Sequence, residues 1–397
     1  MQAQSSAGRL RDRPYVVFSL SQALAMGGWL PVLALLAIYM RDHLGSSVLA
    51  AMATILVIQT VASVVSLFAG SFASRWGGRL TLLIGTAGMM GFAGLLSLIR
   101  EGWHVIALAP LAGLVVPFFW TGTSTYLLQA VAPARRGAGT GVNAFVMTLA
   151  PGVSGPILTW LGQAIGIWAT ILGGAGLLAI SSLVVLSPLP ELDSGPGPAV
   201  AQKRFPLAGY LRLLSDRLNL AAAFARLVSG LNFGVFQLLS ALVLLDLTGQ
   251  LASVGFYLTA GAIGGGASQV LVGSLSDRIG RRNLLAGSML IGAGASLLFW
   301  HSQILSVLLL AAAMQSFSHA AYHTLITAIS GDLVQPAEIP AISGLHTSMF
   351  STGMIAGALL AGLLWQVDHR VAFLVSAALF APALYSVLAL PRRTLRP

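Results

Sequence analysis

Long apolar stretches alternate with short polar ones along the whole chain. Twelve stretches, at 14–40, 48–72, 79–99, 103–131, 138–162, 166–187, 218–246, 251–275, 283–301, 303–331, 340–365 and 369–390, are each almost continuously apolar. About 20 such residues, each rising about 1.5 Å, cross the roughly 30 Å of hydrocarbon in a bilayer. The period-two alternation of a transmembrane barrel is absent. The pattern predicts an all-α membrane protein with twelve transmembrane helices, a lipid bilayer as its first partner, and gaps too short for a soluble domain. The first stretch is too long for the apolar core of a signal peptide and is expected to be a retained span.

Composition agrees with this pattern. Of 397 residues, 56% are hydrophobic and 8% are charged, whereas a soluble domain spends about a quarter on charge. The absence of cysteine excludes a disulfide framework, a thiolate metal site and a cysteine nucleophile. The net charge of +10 invites a nucleic-acid reading, but the placement of the charge argues against it. Seventeen of the 21 basic residues fall on one set of alternate loops and the two termini. Only Arg41, Arg100 and Arg370 fall on the other set, and Arg226 lies within a span. This asymmetry predicts both termini in the cytoplasm, so the basic excess is a topology device.

The chain also repeats itself at an offset of 203 residues. Residues 70–79 read GSFASRWGGR and residues 273–282 read GSLSDRIGRR. They agree at Gly70/Gly273, Ser71/Ser274, Arg75/Arg278, Gly77/Gly280 and Arg79/Arg282, and Pro133-Ala134 falls on Pro336-Ala337 at the same offset. Two pseudo-symmetric six-helix bundles are expected, at 1–187 and 218–397, joined by a cytoplasmic linker at 188–217. With these residues in view, the chain resembles the major facilitator superfamily. Gly273, Asp277, Arg278, Gly280, Arg281 and Arg282 look like that family's loop signature, for which the resemblance implies a gating role. The copy with Gly70, Arg75 and Arg79 departs from it at Ser74, where an acid is usual. Gly152-Val-Ser-Gly155-Pro156 is similar to a motif of the family's drug–proton antiporters and points to export. A bend in a tightly packed helix is the other reading of Pro156. The arginine that antiporters carry in the fourth span is missing here.

The resemblance implies that the first, fourth, seventh and tenth spans line the substrate path. Their polar and aromatic residues are then candidates for substrate binding or proton coupling: Gln22 and Trp29; Trp120 and Tyr126; Arg226, Asn232 and Gln237; His319, Tyr322 and His323. His346 of the eleventh span joins them by depth. No acid lies in the middle of any span, so the interior charge is cationic, and an ionisable group in a bilayer is a functional hypothesis by default. A planar guanidinium suits carboxylate or phosphate. His319 and His323, four residues apart, share a helix face; they can carry protons, contact substrate, bind across helices or hold a metal, although zinc ordinarily takes three protein ligands. The aromatics either stack on a substrate or fill space.

No phosphate loop, H-E-x-x-H or G-x-S-x-G stretch occurs. The expectation is therefore a transporter and not an enzyme, with no cofactor and no metal. It would be a monomer moving a small anionic or zwitterionic molecule across a bacterial inner membrane by alternating access, without a nucleic-acid partner. Proton-coupled efflux is the leading direction, and import of organic anions the alternative.

Overall fold

In the computed structural model, residues 13–131, 136–190, 213–333, 339–368 and 370–388 are described. Most of the 188–217 linker lies outside them. The described residues form twelve long helices and no strand. They are α1 (Arg13–Ile38), α2 (Val48–Trp76), α3 (Gly78–Leu96), α4 (Gly102–Ala130), α5 (Arg136–Ile165) and α6 (Ile167–Leu186), then α7 (Arg217–Thr248), α8 (Ala252–Ile279), α9 (Arg281–His301), α10 (Leu305–Leu333), α11 (Ile339–Leu364) and α12 (Val371–Leu388). The first residue of every helix from α7 onward follows its counterpart in α1–α6 by the offset of 203 to within one residue.

Local chemistry sets the ends. Ser47 caps α2 by accepting from the Ala50 N–H, and Asp216 caps α7 by accepting from the Leu218 and Asn219 N–H groups. Gly77 and Gly280, one repeat apart, stop α2 and α8 with φ of 84° and 86°. A side chain is strained at such angles, which explains the glycine shared by the two decapeptides.

Eleven of the helices are long and apolar enough to cross a membrane. The exception, α8, is diluted by the glycines at 264–266 and by Gln269. Its glycines serve packing: a Cβ on Gly264 would collide with the Ala313 carbonyl oxygen of α10. Lipid gives helices no hydrophobic reason to associate, so close backbone approach and interhelical hydrogen bonds hold them together.

The chain divides into two compact units, Met1–Val200 and Ala201–Pro397. In the first, α1 packs on α5 and α6, α3 on α4 and α6, and α2 on α4. In the second, α7 packs on α11 and α12, α9 on α10 and α12, and α8 on α10. The pairings are the same, shifted by six helices.

Candidate functional site

The interior cation belongs to the second unit, where a glycine seam draws α7 against α11. A Cβ on Gly230 would meet the Phe350 carbonyl, and one on Gly234 the Met354 carbonyl. From the other side, Gly353 and Gly357 lie against the Leu227 and Leu231 carbonyls. Arg226 precedes Gly230 by one turn and His346 precedes Phe350 by one turn, so the seam sets the two side by side. The Arg226 guanidinium lies 4.5 Å over the Phe350 ring. That ring is 5.5 Å from the imidazole of His319, which in turn lies 4.5 Å from Phe233. Tyr322, His319, His323 and His346 are all within electrostatic range of Arg226.

Burial makes this arrangement costly and therefore informative. Arg226 is 7% exposed. Among the described residues its Nη1, the His319 Nδ1 and the Tyr322 hydroxyl have no hydrogen-bond partner, and Arg226 makes no ion pair. A buried charge costs several kcal/mol unless paired, and the face of Phe350 returns about 0.5–2 kcal/mol. The planar donor edge of the guanidinium is thus left for an acceptor that the described chain does not supply. His319 completes a triangle of rings with Phe233 and Phe350, which are themselves 5.9 Å apart, whereas His323, one turn on, is exposed; both face Arg226, but only His319 is packed against aromatic rings.

The other sequence candidates are placed differently. Asn232 does not join the cation. Its Nδ2 donates to Ser296 of α9 and Ser376 of α12 at 2.7 Å each, and its Oδ1 accepts from Gln315 of α10. Both amide ends are engaged within the bundle, so Asn232 knots four helices together. Gln237 is half-buried, and its Oε1 has no partner among the described residues. In the first unit, Trp29 packs edge-on to Phe92, and Tyr126 stacks on Phe18 while donating to the Pro190 carbonyl at 3.0 Å. Trp120 is 50% exposed beside Phe119. Gln22 is fully buried, with its Oε1 accepting from Thr123 at 2.8 Å.

Of the loop residues, Arg79 donates to the Val185 and Leu186 carbonyls, closing the C-terminus of α6. Arg75 lies 5.5 Å over the Trp76 ring. A Cβ on Gly70 would meet nothing. Arg281 and Arg282 open α9. Gly273, Asp277 and Arg278 fall on α8 with side chains outside the described residues. Gly152, Gly155 and Pro156 lie within α5, which continues through Pro151 and Pro156. Between them the Ser154 hydroxyl donates to the Gly27 carbonyl at 2.7 Å, so this stretch forms the seam with α1.

Sequence reasoning missed Phe233 and Phe350. Reading outward from Arg226 at i+4 and i+7, and from His346 at i+4, reaches Gly230, Phe233 and Phe350, so helical periodicity around the buried charge carried the signal.

The sequence pattern of the Major Facilitator Superfamily matches residues 18–239 and 222–397. The chain belongs to that superfamily and is a multi-pass membrane transporter of small molecules. Among solved structures, a mutant of the nucleoside transporter NupG is similar at 14% identity with a TM-score of 0.82, over 94% of this chain and 99% of that one. A bacterial homologue of the human lysosomal transporter Spinster, in an inward-facing and unoccupied conformation, is similar at 11% identity and a TM-score of 0.78, over 96% and 97%. The human organic anion transporter MFSD10 is similar at 17% identity and a TM-score of 0.64, over 94% and 99%. At these identities the likeness is one of fold. No curated protein matches the chain.

Proposed function

We propose that the protein is a secondary active transporter that takes up a small organic anion together with protons, holding the anion at Arg226. The buried guanidinium edge without a partner among the described residues carries the reading. A carboxylate or phosphate fits that edge bidentately, and a lipophilic cation does not.

The sign of coupling decides direction. A proton bound by His319, His323 or His346 adds positive charge beside Arg226 and so strengthens binding of an anion; by linkage, the anion strengthens binding of the proton. Ligands that promote each other's binding travel together, whereas an exchanger needs them to exclude each other. In a bacterial cytoplasmic membrane with both termini inside, as the basic-residue asymmetry supports, an inward proton gradient would drive import. Proton-coupled efflux is the second reading, favoured by the Gly152–Pro156 stretch. That stretch also has a packing role against α1, which weakens its weight as an export signal. One of the solved relatives is an organic anion transporter, in keeping with the substrate class.

Two measurements test this. Mass spectrometry of cytosol and medium would compare cells expressing the protein, Arg226→Ala or neither; enrichment of an organic anion inside is expected. The purified protein in liposomes holding a pH dye would then be offered lactate, citrate, benzoate and the anion so identified. Anion-dependent internal acidification is expected, lowered about 10- to 100-fold in Arg226→Ala, as the loss of a charge-assisted hydrogen bond implies. Internal alkalinisation would establish proton exchange instead. Undiminished transport by Arg226→Ala would remove the anion site.

A further inference from the structure

The first unit holds an uncharged counterpart of the cation cluster. His346 and Asn143 occupy the same repeat position, as do Phe350 and Met147, and Arg226 falls one residue from the repeat mate of Gln22. The α1–α5 seam therefore carries amides where the α7–α11 seam carries cations. Two hydrogen bonds fix its register, from the Tyr15 hydroxyl to the Gly139 carbonyl and from Ser154 to the Gly27 carbonyl, both 2.7 Å. Between these ties, Ser19 and Gln22 follow Tyr15 at i+4 and i+7 on one face of α1, and Asn143 lies one turn beyond Gly139 on α5.

These polar groups are buried and incompletely used. Gln22 is 0% exposed and Asn143 is 4% exposed. Among the described residues, Gln22 Nε2 and Asn143 Oδ1 have no hydrogen-bond partner, while the Ser19 side chain lies against the Tyr15 hydroxyl. Thr123 of α4 takes the other end of Gln22, and the Met147 sulfur lies 3.2 Å from the Asn143 Nδ2. A buried donor or acceptor left unpaired in apolar surroundings is destabilising, and here one orphaned donor on α1 and one orphaned acceptor on α5 lie on the two helices of this seam.

We propose that this seam is a second binding site, for an uncharged amide-type edge that presents a carbonyl to Gln22 Nε2 and an N–H to Asn143 Oδ1. The proposal rests on the transporter reading but not on anion binding at Arg226. A site built to bond both a donor and an acceptor discriminates strongly against analogues that lack either, because its own buried groups are then stranded.

The test uses the purified full chain in detergent with three ring-matched probes: nicotinamide, N,N-diethylnicotinamide, whose amide N–H groups are replaced, and nicotinate. Millimolar nicotinamide is expected to raise the unfolding temperature, and N,N-diethylnicotinamide to leave it unchanged. The nicotinamide response should weaken about tenfold in apparent affinity in Gln22→Met and in Asn143→Leu, and persist in Arg226→Ala. The nicotinate response should fail in Arg226→Ala instead, so the two sites fail separately. Without ligand, Asn143→Leu should unfold at or above the wild-type temperature, because it removes an unsatisfied buried oxygen, whereas a purely structural role predicts a fall; Gln22→Met also strands the Thr123 hydroxyl and should unfold lower. The proposal is overturned by any of three results: wild-type protein that responds to neither amide, an equal response to both amides, or a nicotinamide response that survives both substitutions. The first two need no variant to fold.

Discussion

In the first unit, α1 meets α5 at Gly27, where an added Cβ would stand 3.2 Å from the movable hydroxyl of Ser154. In the second unit, α7 meets α11 through Gly230, Gly234, Gly353 and Gly357, each facing main-chain carbonyls. Gly27 and Gly230 are repeat mates. The same contrast runs through the interior. Where the first unit fills space with the Trp29 indole against Phe92, the second places Asn232 with Ser296, Ser376 and Gln315, whose mates are Ala93, Gly173 and Ala112. Duplication conserved which helices touch, but not what they touch with. Helix pairing follows from backbone geometry and element length, whereas the chemistry at each contact is free to diverge.

The comparison breaks or sharpens under substitution. The largest effect is expected for Gly230→Ala. Its Cβ would press on a carbonyl that cannot move without α11, so a loss of about 3 kcal/mol is expected in thermal unfolding, against under about 1 kcal/mol for Gly27→Ala. Equal losses would mean that the two seams do not differ. Next comes Asn232→Leu, expected to cost about 1–2 kcal/mol by stranding three partners in apolar surroundings. Adding Ser376→Ala to that variant should cost little more, since the bond is already gone; full additivity would dissolve the knot as a unit. The smallest is Arg79→Gln, which removes charge from the C-terminus of α6 and should cost about 0.5–1 kcal/mol. Hydrogen exchange should quicken in the last turn of α6 and stay unchanged in α12.

Much of this architecture was legible in the sequence. The apolar run at 303–331 became Leu305–Leu333, and the run at 48–72 became Val48–Trp76. The second helix outlasts its hydropathy because a backbone ladder ends at a stop signal, here Gly77, and not where side chains turn polar. The repeat was legible in part because Gly77 and Gly280 hold a positive φ that strains any other residue; Gly70, where an added Cβ would meet nothing, carries no such demand. Site chemistry was legible only as an inventory. Arg226, His346 and Gln22 stand out as polar residues in apolar helices, but hydropathy does not say how a helix is rotated. Asn232 and Arg226, six residues apart on α7, therefore looked alike, and only the packing of α9, α10 and α12 separates a satisfied amide from an unsatisfied guanidinium. Phe233 and Phe350 were invisible for the opposite reason, since aromatic residues in membrane helices ordinarily only fill space.

One residue, Gly77, separates α2 from α3; Gly280 likewise separates α8 from α9, and Gly166, at φ 112°, separates α5 from α6. Corners this short have no slack for a reporter. Epitope tags and fluorophore-labelling cysteines belong at 44–46, 97–101 or 302–304, where the chain leaves one helix before entering the next. An insertion at any of the three glycines would have to unwind a helix end first. The cysteine-free sequence makes the permissive positions usable as they stand, since a single introduced thiol would be the only one in the molecule.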